Sequence, residues 1–500
     1  MSRATINTGS TFSRGDEESS APQQLSGAGI LKVAVLADLS GRASRRQCEP
    51  ENLARRPAHR LRKDNFESLF EQMGVRLQLP VMDRPLSLLE FDDLHPDYLY
   101  SRVPLFRQFI ELEKRLLKPA EFAGAAEEIR HWRPELRPEA RQSAGDSGAQ
   151  SMLDAVLSGD GYREAYTSSP EGRIDRLIKD IVAPYVQEKP DAEQDAYLQA
   201  VADAASEAMR KIMHQSDFRQ LEASWRSLHL LLRRLEDHPN LELHVIDVSK
   251  EEILADFARA EDDLEQSQLF KCLVEREATA GGLPYNLIVG DFHVADDERD
   301  LHLLIDLATI AEAAGSAVVL GGDSRLAGCA TLAGSPDPDD WHYPLSESFA
   351  ESWRALREYP ACDHLALAGP RFMLRLPYGA DSATTDCFEF EELTEEHGHR
   401  YYLWGNSAYL LALSLCEQFV REGRPAPVTA DRYEDLPLHL RRLPQGQWIT
   451  PCAEALLNDR AAAQFTAAGF STLRSVQGRD QILLPRLQSL AGNELQGPWS

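Results

Sequence analysis

The sequence contains little positive charge for its length and no long uninterrupted apolar run. Its 53 Lys and Arg residues are outnumbered by 80 Asp and Glu residues, which gives a formal net charge of −27 over 500 residues. A surface that acidic repels a phosphate backbone, which argues against general binding to nucleic acid. The most apolar long stretch, Leu303 to Leu320, is interrupted by Asp306 and Glu312. No membrane-spanning segment is therefore expected.

The N-terminal segment lacks the apolar core of a secretory signal. Residues 1–28 are polar and rich in Ser, Gly and Gln, which predicts a disordered arm and a chain that stays in the cytoplasm. Paired cysteines are also missing, because the seven cysteines are an odd number and the closest two are 25 residues apart. This spacing favours reduced, mostly buried thiols over a disulfide framework.

Motifs that would indicate catalysis or cofactor binding are missing as well. Gly321 and Gly322 follow an apolar run, but the Lys of a P-loop and the third Gly of a dinucleotide fingerprint are not there. No Gly-x-Ser-x-Gly elbow occurs, and His397 and His399 have no nearby third ligand for zinc. We therefore expect no metal, no cofactor and no enzymatic activity. The alternative is an enzyme whose site is assembled from residues distant in the sequence.

What the sequence does contain is an alternation of helical periodicity with short apolar runs. The run from Ile30 to Ala37 predicts a strand, and residues 193–236 are strongly helical. Further strands are predicted at Leu241 to Val248, Leu287 to Gly290, Ala317 to Leu320 and Leu365 to Ala368. This pattern predicts a helix-rich α/β fold with short strands.

The chain divides into two predicted domains on either side of a linker. Residues 134–150 are rich in Pro, Gly and Ser and contain little that could be buried, which indicates the linker. The disordered arm at 1–28 precedes a first domain at 29–133. After the linker, 151–190 is expected to contain short helices and 191–500 to form the second domain.

One window reverses the charge of the rest of the chain. Residues 40–63 contain eight basic side chains and two acidic ones, a net charge of +6 against −33 elsewhere. Such a patch either contacts an acidic surface of its own chain or of a neighbouring copy, or binds another anion. We favour an interface between subunits. The basic residues are Arg42, Arg45, Arg46, Arg55, Arg56, Arg60, Arg62 and Lys63.

Four short blocks follow one another in the first domain, at 33–42 (VAVLADLSGR), 62–66 (RKDNF), 91–97 (FDDLHPD) and 103–104 (VP). In this order they resemble the small subunit of the type VI secretion contractile sheath, the TssB or VipA family. The resemblance covers about residues 28–135.

Seven further blocks lie after the linker. They are 214–228 (HQSDFRQLEASWRSL), 247–252 (DVSKEE), 267–271 (SQLFK), 368–378 (AGPRFMLRLPY), 402–409 (YLWGNSAY), 435–439 (DLPLH) and 468–470 (AGF). Together, and in this order, they resemble the large sheath subunit, the TssC or VipB family, over about residues 150–490, and no single block carries the resemblance alone.

The resemblance implies two structural sites. Sheath subunits form a tube that surrounds an inner tube, and strands exchanged between neighbours link the lattice through main-chain hydrogen bonds. The strand at 30–38 is the candidate donor, with Val33, Val35 and Leu36 at the interface. The segment 151–157 resembles the helix that an AAA+ unfoldase recognises, with Leu153, Val156 and Leu157 on its apolar face. The alternative is a helix packed on its own domain.

The sequence departs from the sheath families in two ways. The two subunits are joined in one chain, and the C-terminal portion of the large subunit is not matched, so the strand at 30–38 is expected to lack its usual partner within the chain. We expect a non-enzymatic sheath component whose partners are itself or conventional sheath subunits, with the inner tube, baseplate and unfoldase as further partners. The alternative is a non-polymerising adaptor that caps the sheath, joins the baseplate or recruits the unfoldase.

Overall fold

A computed structural model describes residues 29–133, 192–261, 263–276, 284–394, 398–443 and 446–500. The predicted arm at 1–28, the linker at 134–150 and the helices at 151–190 lie outside the described residues. The same applies to Leu153, Val156 and Leu157. Below, the N-terminal region means residues 29–133 and the C-terminal region means residues 192–500.

A seven-stranded sheet forms the centre of the molecule. The strand order is β14-β8-β7-β6-β1-β5-β2, and every neighbouring pair is parallel except β2 with β5. These strands are β1 (Leu31–Ala37), β2 (His59–Leu61), β5 (Leu241–Asp247), β6 (Leu287–Val294), β7 (Ala317–Gly322), β8 (Leu365–Gly369) and β14 (Phe470–Thr472). The predicted α/β class and the five predicted strands are confirmed.

Helices cover both faces of this sheet. Their bounds are α1 (Phe66–Met73), α2 (Pro96–Arg102), α3 (Arg107–Leu116), α4 (Pro119–Trp132), α5 (Ala192–Met213), α6 (Ser216–Arg234), α7 (Lys250–Ala260), α8 (Gln268–Phe270), α9 (Glu298–Ala314), α10 (Glu347–Arg357), α11 (Ala408–Glu422) and α12 (Asp459–Ala467). One apolar core contains side chains of α1 to α6 and α11, and the other contains those of α7, α9, α10 and α12. Of the strands between them, β7 and β8 contain only apolar residues and glycine, as expected for parallel strands that are buried on both faces.

Short elements complete the fold. Small sheets are formed by β3 (Arg76–Leu77) with β4 (Leu86–Ser87), β9 (Phe372–Met373) with β10 (Trp404–Gly405), β12 (His439–Leu443) with β13 (Gly446–Thr450), and β11 (Asp431–Tyr433) with β16 (Ile482–Leu484) and β15 (Arg474–Ser475). A π-helical turn, Lys271–Glu275, follows α8. Short 3-10 helices occupy Pro50–Arg55, Phe91–Leu94, Pro104–Phe106, Leu264–Gln266, Ser324–Ala327, Pro338–Asp340, Pro360–His364 and His399–Tyr401.

The long predicted helix at 193–236 is divided in two. The backbone of Gln215 is extended, with φ of −63° and ψ of 138°, and α6 begins at the next residue. Ser216, Asp217 and their neighbours favour a helix start, because short polar side chains compete with helical backbone hydrogen bonds. Apolar periodicity continues across the break, which is why the pattern alone predicted one helix.

The N-terminal and C-terminal regions share the central sheet. β1 and β2 come from the N-terminal region, whereas the other five strands come from the C-terminal region. The domain boundaries at 29–133 and 191–500, and the description of each as a sheath-like domain, stay predictions.

Candidate functional site

The predicted exchange strand, β1, is the third strand from the β2 edge of the sheet and is fully buried. Val33, Val35 and Leu36 are all 0% exposed. Val35 lies opposite Val245 of β5 on one edge and Val289 of β6 on the other. Both edges of this strand are bound within the chain, by β5 and β6, so it has no open edge. Absence of the strand's usual partner, the unmatched C-terminal portion of the large subunit, stays a prediction. Exchange of the strand between copies stays a prediction.

The turn after β1 is held by two carboxylates. Asp38 accepts hydrogen bonds from the N–H groups of Gly41, Arg42 and Ala43, at 2.7–2.8 Å. Asp247 of the C-terminal region accepts from the N–H of Leu39 at 2.8 Å. Gly41 has a φ of +80°, and a Cβ there would overlap the carbonyl oxygen of Arg76. Only glycine fits this turn without strain.

Two arginines of the basic window bind one buried carboxylate. Glu252 of α7 has no exposed side-chain surface and receives Arg42 Nη2 at 2.7 Å and Arg56 Nη2 at 2.8 Å. The N–H groups of Glu49 and Ser249 also donate to it, at 3.0 and 3.1 Å. Burial alone would raise the pKa of Glu252, but these donors lower it to about 2. The carboxylate therefore stays ionised and ties the two regions together.

Other residues of the basic window also bind their own chain. Arg60 is 3.2 Å from Glu242, and Lys63 is 3.7 Å from Asp237. Arg45 donates to the carbonyl of Gly41 at 3.1 Å. Arg46, Arg55 and Arg62 are exposed. For Arg42, Arg56, Arg60 and Lys63, the acidic surface that complements the patch lies in the C-terminal region of the same molecule. Contact of the patch with another copy stays a prediction.

A second buried ion-pair cluster was not predicted. Arg375 lies between two carboxylates, with Nε 2.7 Å from Glu222 Oε1 and Nη1 2.6 Å from Glu392 Oε2. Glu222 of α6 also accepts from Arg226, one turn later on the same helix, at 2.7 Å. Burial would raise the pKa of Glu222, but Arg375 and Arg226 lower it to about 2.

The second cluster also reaches the N-terminal region. The Arg226 guanidinium lies 5.6 Å from the centre of the Phe91 ring, and the Tyr378 ring packs edge-on against His95 at 4.7 Å. Beside these contacts, Asp97 accepts hydrogen bonds from the N–H groups of Asp386 and Cys387, each at 2.9 Å. The 91–97 block thus contacts the 368–378 block and the loop after it.

Two ionisable groups of β6 are buried with shifted pKa values. Burial raises the pKa of Asp291 to about 6, and the nearby Asp38 carboxylate adds to the shift. Burial lowers the pKa of His293 to about 4. Within the described ranges, no group of three or more His, Cys, Asp or Glu side chains is arranged to hold a metal. No helix in the described part of the chain is long and apolar enough to cross a membrane.

The chain belongs to the VipB family of tail sheath proteins. Residues 195–491, more than half of the chain, match the VipB family model described as "EvpB/VC_A0108, tail sheath N-terminal domain". The chain is similar to the type VI secretion system sheath protein TssC1 of Pseudomonas aeruginosa, with 30% identity over 286 residues. That alignment covers 56% of this chain and 57% of the relative, so the chain spans just over half the length of TssC1.

The family match confirms the resemblance of the C-terminal region to the large sheath subunit. The match begins at residue 195 and therefore does not include the N-terminal region. The resemblance of residues 29–133 to the small subunit stays a prediction.

Blocks that carry the resemblance to the large subunit provide the second ion-pair cluster. Glu222 and Arg226 lie in the 214–228 block, and Arg375 and Tyr378 lie in the 368–378 block. The available signal was a Glu and an Arg four residues apart on an amphipathic helix, a spacing that places them on one face. Arg375, the second arginine bound to Glu222, lies 153 residues further along the chain, so its proximity could not be predicted from spacing.

Proposed function

We propose that this chain is a non-enzymatic structural component of a type VI secretion sheath, in which the N-terminal region takes the place of a small subunit and the C-terminal region that of a large subunit. The observation that carries the proposal is the position of β1, between β5 and β6 of the C-terminal region. A strand at that position makes the two regions one mechanical unit, because separating them breaks the main-chain hydrogen bonds of β1 with β5 and β6, in addition to those of β2 with β5.

The buried ion pairs support the same proposal. Arg42 and Arg56 of the N-terminal region bind Glu252 of the C-terminal region where water is excluded. Loss of one of these side chains from the assembled molecule would leave buried charge without its partner, which is strongly destabilising. A permanent joint of this kind suits a subunit that transmits force. The work is mechanical, and the proposed location is the cytoplasm, with other sheath subunits as partners.

One observation favours the alternative of a non-polymerising adaptor. Both edges of β1 are occupied within the chain, which leaves no free edge on this strand to receive a neighbour. An adaptor would cap the sheath, join the baseplate or recruit the unfoldase. It would use the sheath fold for recognition of sheath subunits without extending the lattice.

Electron microscopy of negatively stained samples separates the two. The purified chain is imaged alone and mixed with conventional sheath subunits and inner-tube protein from the same organism. Tubes formed by the chain, alone or incorporated along the sheath wall, are the expected result for a sheath component. Particles found only at the ends of tubes would favour the adaptor. Absence of any association with sheath subunits would overturn both proposals.

A further inference from the structure

The N-terminal region contains an apolar groove, called here the β4–α2 groove. One wall is formed by residues 82–89, which include β4, and the other lies within residues 98–108, which include the end of α2 and the start of α3. Its volume is about 830 Å³, which is within the range of binding sites in proteins. Leu89 on the first wall is 62% exposed, and Tyr98 on the second is 38% exposed. Buried apolar side chains complete the lining, namely Leu86, Leu88, Leu99 and Val103.

The outer edge of β4 is open to a further strand. The N–H of Leu88 donates to the carbonyl of Val75 at 3.1 Å, on the β3 side. Arg76 lies opposite Ser87 but donates its N–H away from β4, to the carbonyl of Ser40 at 3.1 Å. The pair of Arg76 and Ser87 is therefore not hydrogen-bonded, and Ser87 directs its N–H and C=O to the outer edge. Among the described residues, no strand binds that edge.

This outer edge faces the groove. Leu89 follows Ser87 by two residues, so its N–H points to the same side of the strand. That N–H donates to Asp93 Oδ2 at 2.7 Å, and Asp93 lines the groove together with Ser87 and Leu89. The N–H and C=O of Ser87 are thus presented to the groove, where an added chain can bind them.

The lining of the groove has an excess of positive charge. Three Arg and two Asp side chains line it, which gives a net charge of +1 in a chain whose net charge is −27. Arg102 is bound by Asp93 and Glu90. Arg84 on one wall and Arg107 on the other are exposed, and in the described part of the chain neither has an ion-pair partner. Carboxylates of a bound partner would pair with these two arginines.

We propose that the β4–α2 groove binds an extended, acidic peptide segment of another protein. The segment adds to the open edge of β4 at Ser87, places apolar side chains against Leu89 and Tyr98, and directs carboxylates to Arg84 and Arg107. In this mode main-chain hydrogen bonds supply affinity, and contacts with alternate side chains supply specificity. A helical partner fits less well, because the main-chain groups within a helix are already hydrogen-bonded to each other.

The inference goes beyond the proposed function. The groove is built from residues 82–108 alone, which lie outside the family match at 195–491. It would allow a second protein to be bound at the N-terminal region whether or not the chain forms a sheath.

Binding of synthetic peptides to the full chain tests the inference. The probes are short peptides in which Leu, Ile, Val or Phe alternates with polar residues and Asp or Glu flanks both ends. Fluorescence anisotropy should show saturable binding with a dissociation constant below about 1 mM. Leu89→Ser should weaken binding at least about tenfold, because the leucine side chain is buried in the complex. The matched control is Leu117→Ser, which replaces a side chain that is 58% exposed outside the groove and should have no effect.

Charge reversal tests the role of the arginines. Arg107→Glu should weaken binding of the acidic peptides and strengthen binding of the same peptides flanked by Lys, because the sign of the local charge is inverted. Higher salt should weaken binding of the acidic peptides to the wild type. The control is Arg424→Glu, which changes an exposed arginine outside the groove and should leave both affinities unchanged.

Methylation of the peptide main chain tests the extended conformation. Two versions of the tightest-binding peptide are compared, each with N-methyl groups on alternate residues, one on the odd and one on the even positions. A strand directs successive N–H groups to opposite edges, so only one version should lose affinity for the wild type. Equal loss in both versions, or loss in neither, would contradict strand addition.

Three further outcomes would overturn the inference. One is no saturable binding of any acidic peptide below about 1 mM, and another is equal binding by the wild type and a Leu89→Ser variant that circular dichroism shows to be folded. In the third, the groove binds something other than a peptide. Self-association that Leu89→Ser abolishes would assign it to a second copy, and binding of phosphatidylglycerol vesicles that Leu89→Ser abolishes would assign it to a membrane. None of these results bears on the proposed function, which depends on the formation of sheath polymers.

Discussion

At the scale of single residues, the most informative groups are the two fully buried glutamates at the junction of the regions. Glu252 and Glu222 each accept hydrogen bonds from two arginines, and each has a pKa of about 2. Transfer of such charges from water to the protein interior costs free energy, and the ion pairs offset this cost only when every partner is in place. These residues therefore make the joint sensitive to the loss of a single side chain.

Substitution of Glu252 by Gln should strongly destabilise the protein. The variant keeps the size of the side chain but removes the buried negative charge that Arg42 and Arg56 share, which costs about 3–5 kcal/mol in the free energy of unfolding. Urea denaturation measures the change. The control is Glu51→Gln, which removes an ion pair between exposed side chains, Glu51 and Arg259, and should leave the unfolding midpoint unchanged. Equal midpoints for the two variants would contradict the prediction.

The depressed pKa of Glu252 also predicts a dependence on pH. The unfolded chain has a Glu pKa near 4.5, and the folded value is about 2. The stabilisation is therefore complete above pH 4.5 and is lost as the pH falls towards 2. The free energy of unfolding of the wild type should decrease in this window more steeply than that of Glu252→Gln. Parallel curves for the two proteins would show that Glu252 does not titrate as described.

Asp291 should have the opposite effect on stability. Its folded pKa is about 6 and its unfolded value about 3.8, so ionisation in the folded state costs stability that is lost as the pH rises through this interval. Asp291→Asn removes the cost, which is on the order of 3 kcal/mol at pH 7.5. The difference in unfolding free energy between variant and wild type should shrink from pH 7.5 to 4.5. Titration of His293 is common to both proteins and cancels in the difference.

At the scale of elements, β1 decides how the two regions are related. Its side chains alternate between the two cores, with Val33 and Val35 in one and Ala34 and Leu36 in the other. Parallel pairing on both edges satisfies the hydrogen-bonding groups of its main chain. The strand therefore contributes to the central sheet and to the apolar cores on both faces of that sheet. A strand in this position stabilises both regions even if the connection between them is cut.

Cleavage of the connection should therefore leave the regions associated. A protease site inserted in the predicted linker at 134–150 is cut in the folded protein, and the product is analysed by gel filtration. We expect the two fragments to elute together, because β1 remains between β5 and β6. The same experiment on Glu252→Gln should show partial separation. Separation of the fragments from the otherwise unchanged protein would contradict the structural role of β1.

At the scale of the whole molecule, the reactivity of the cysteine thiols measures how closely the chain is packed. The seven cysteines form no disulfide in the structure, with Cys48 and Cys387 exposed and the other five buried, which confirms the prediction that most thiols are buried. A thiol reagent should therefore modify two groups in the folded protein and all seven after unfolding. Replacing Cys48 and Cys387 by Ser should abolish the reaction of the folded state. More than two reactive groups in the native protein would indicate a looser core.

The strands, the α/β class and the large-subunit family could be predicted from the sequence. Buried parallel strands are continuous apolar runs, as at 31–37 and 317–320, so local composition determines them. Short motifs in a fixed order identify the family, because both the motifs and their order are properties of the linear sequence. The break at Gln215 was missed, since apolar periodicity persists through it and a single extended residue leaves little trace in the pattern.

Only the tertiary structure decided which groups meet. The sequence determined that residues 40–63 are basic and that 30–37 form a strand, because charge and strand propensity are properties of neighbouring residues. It could not determine that Arg42 and Arg56 bind Glu252, or that β1 lies between β5 and β6, since these partners are separated by about 200 residues. Distant pairs are selected by the packing of the complete sheet and its helices, and that packing brings Arg42 and Arg56 of the basic window to a buried carboxylate of the same molecule.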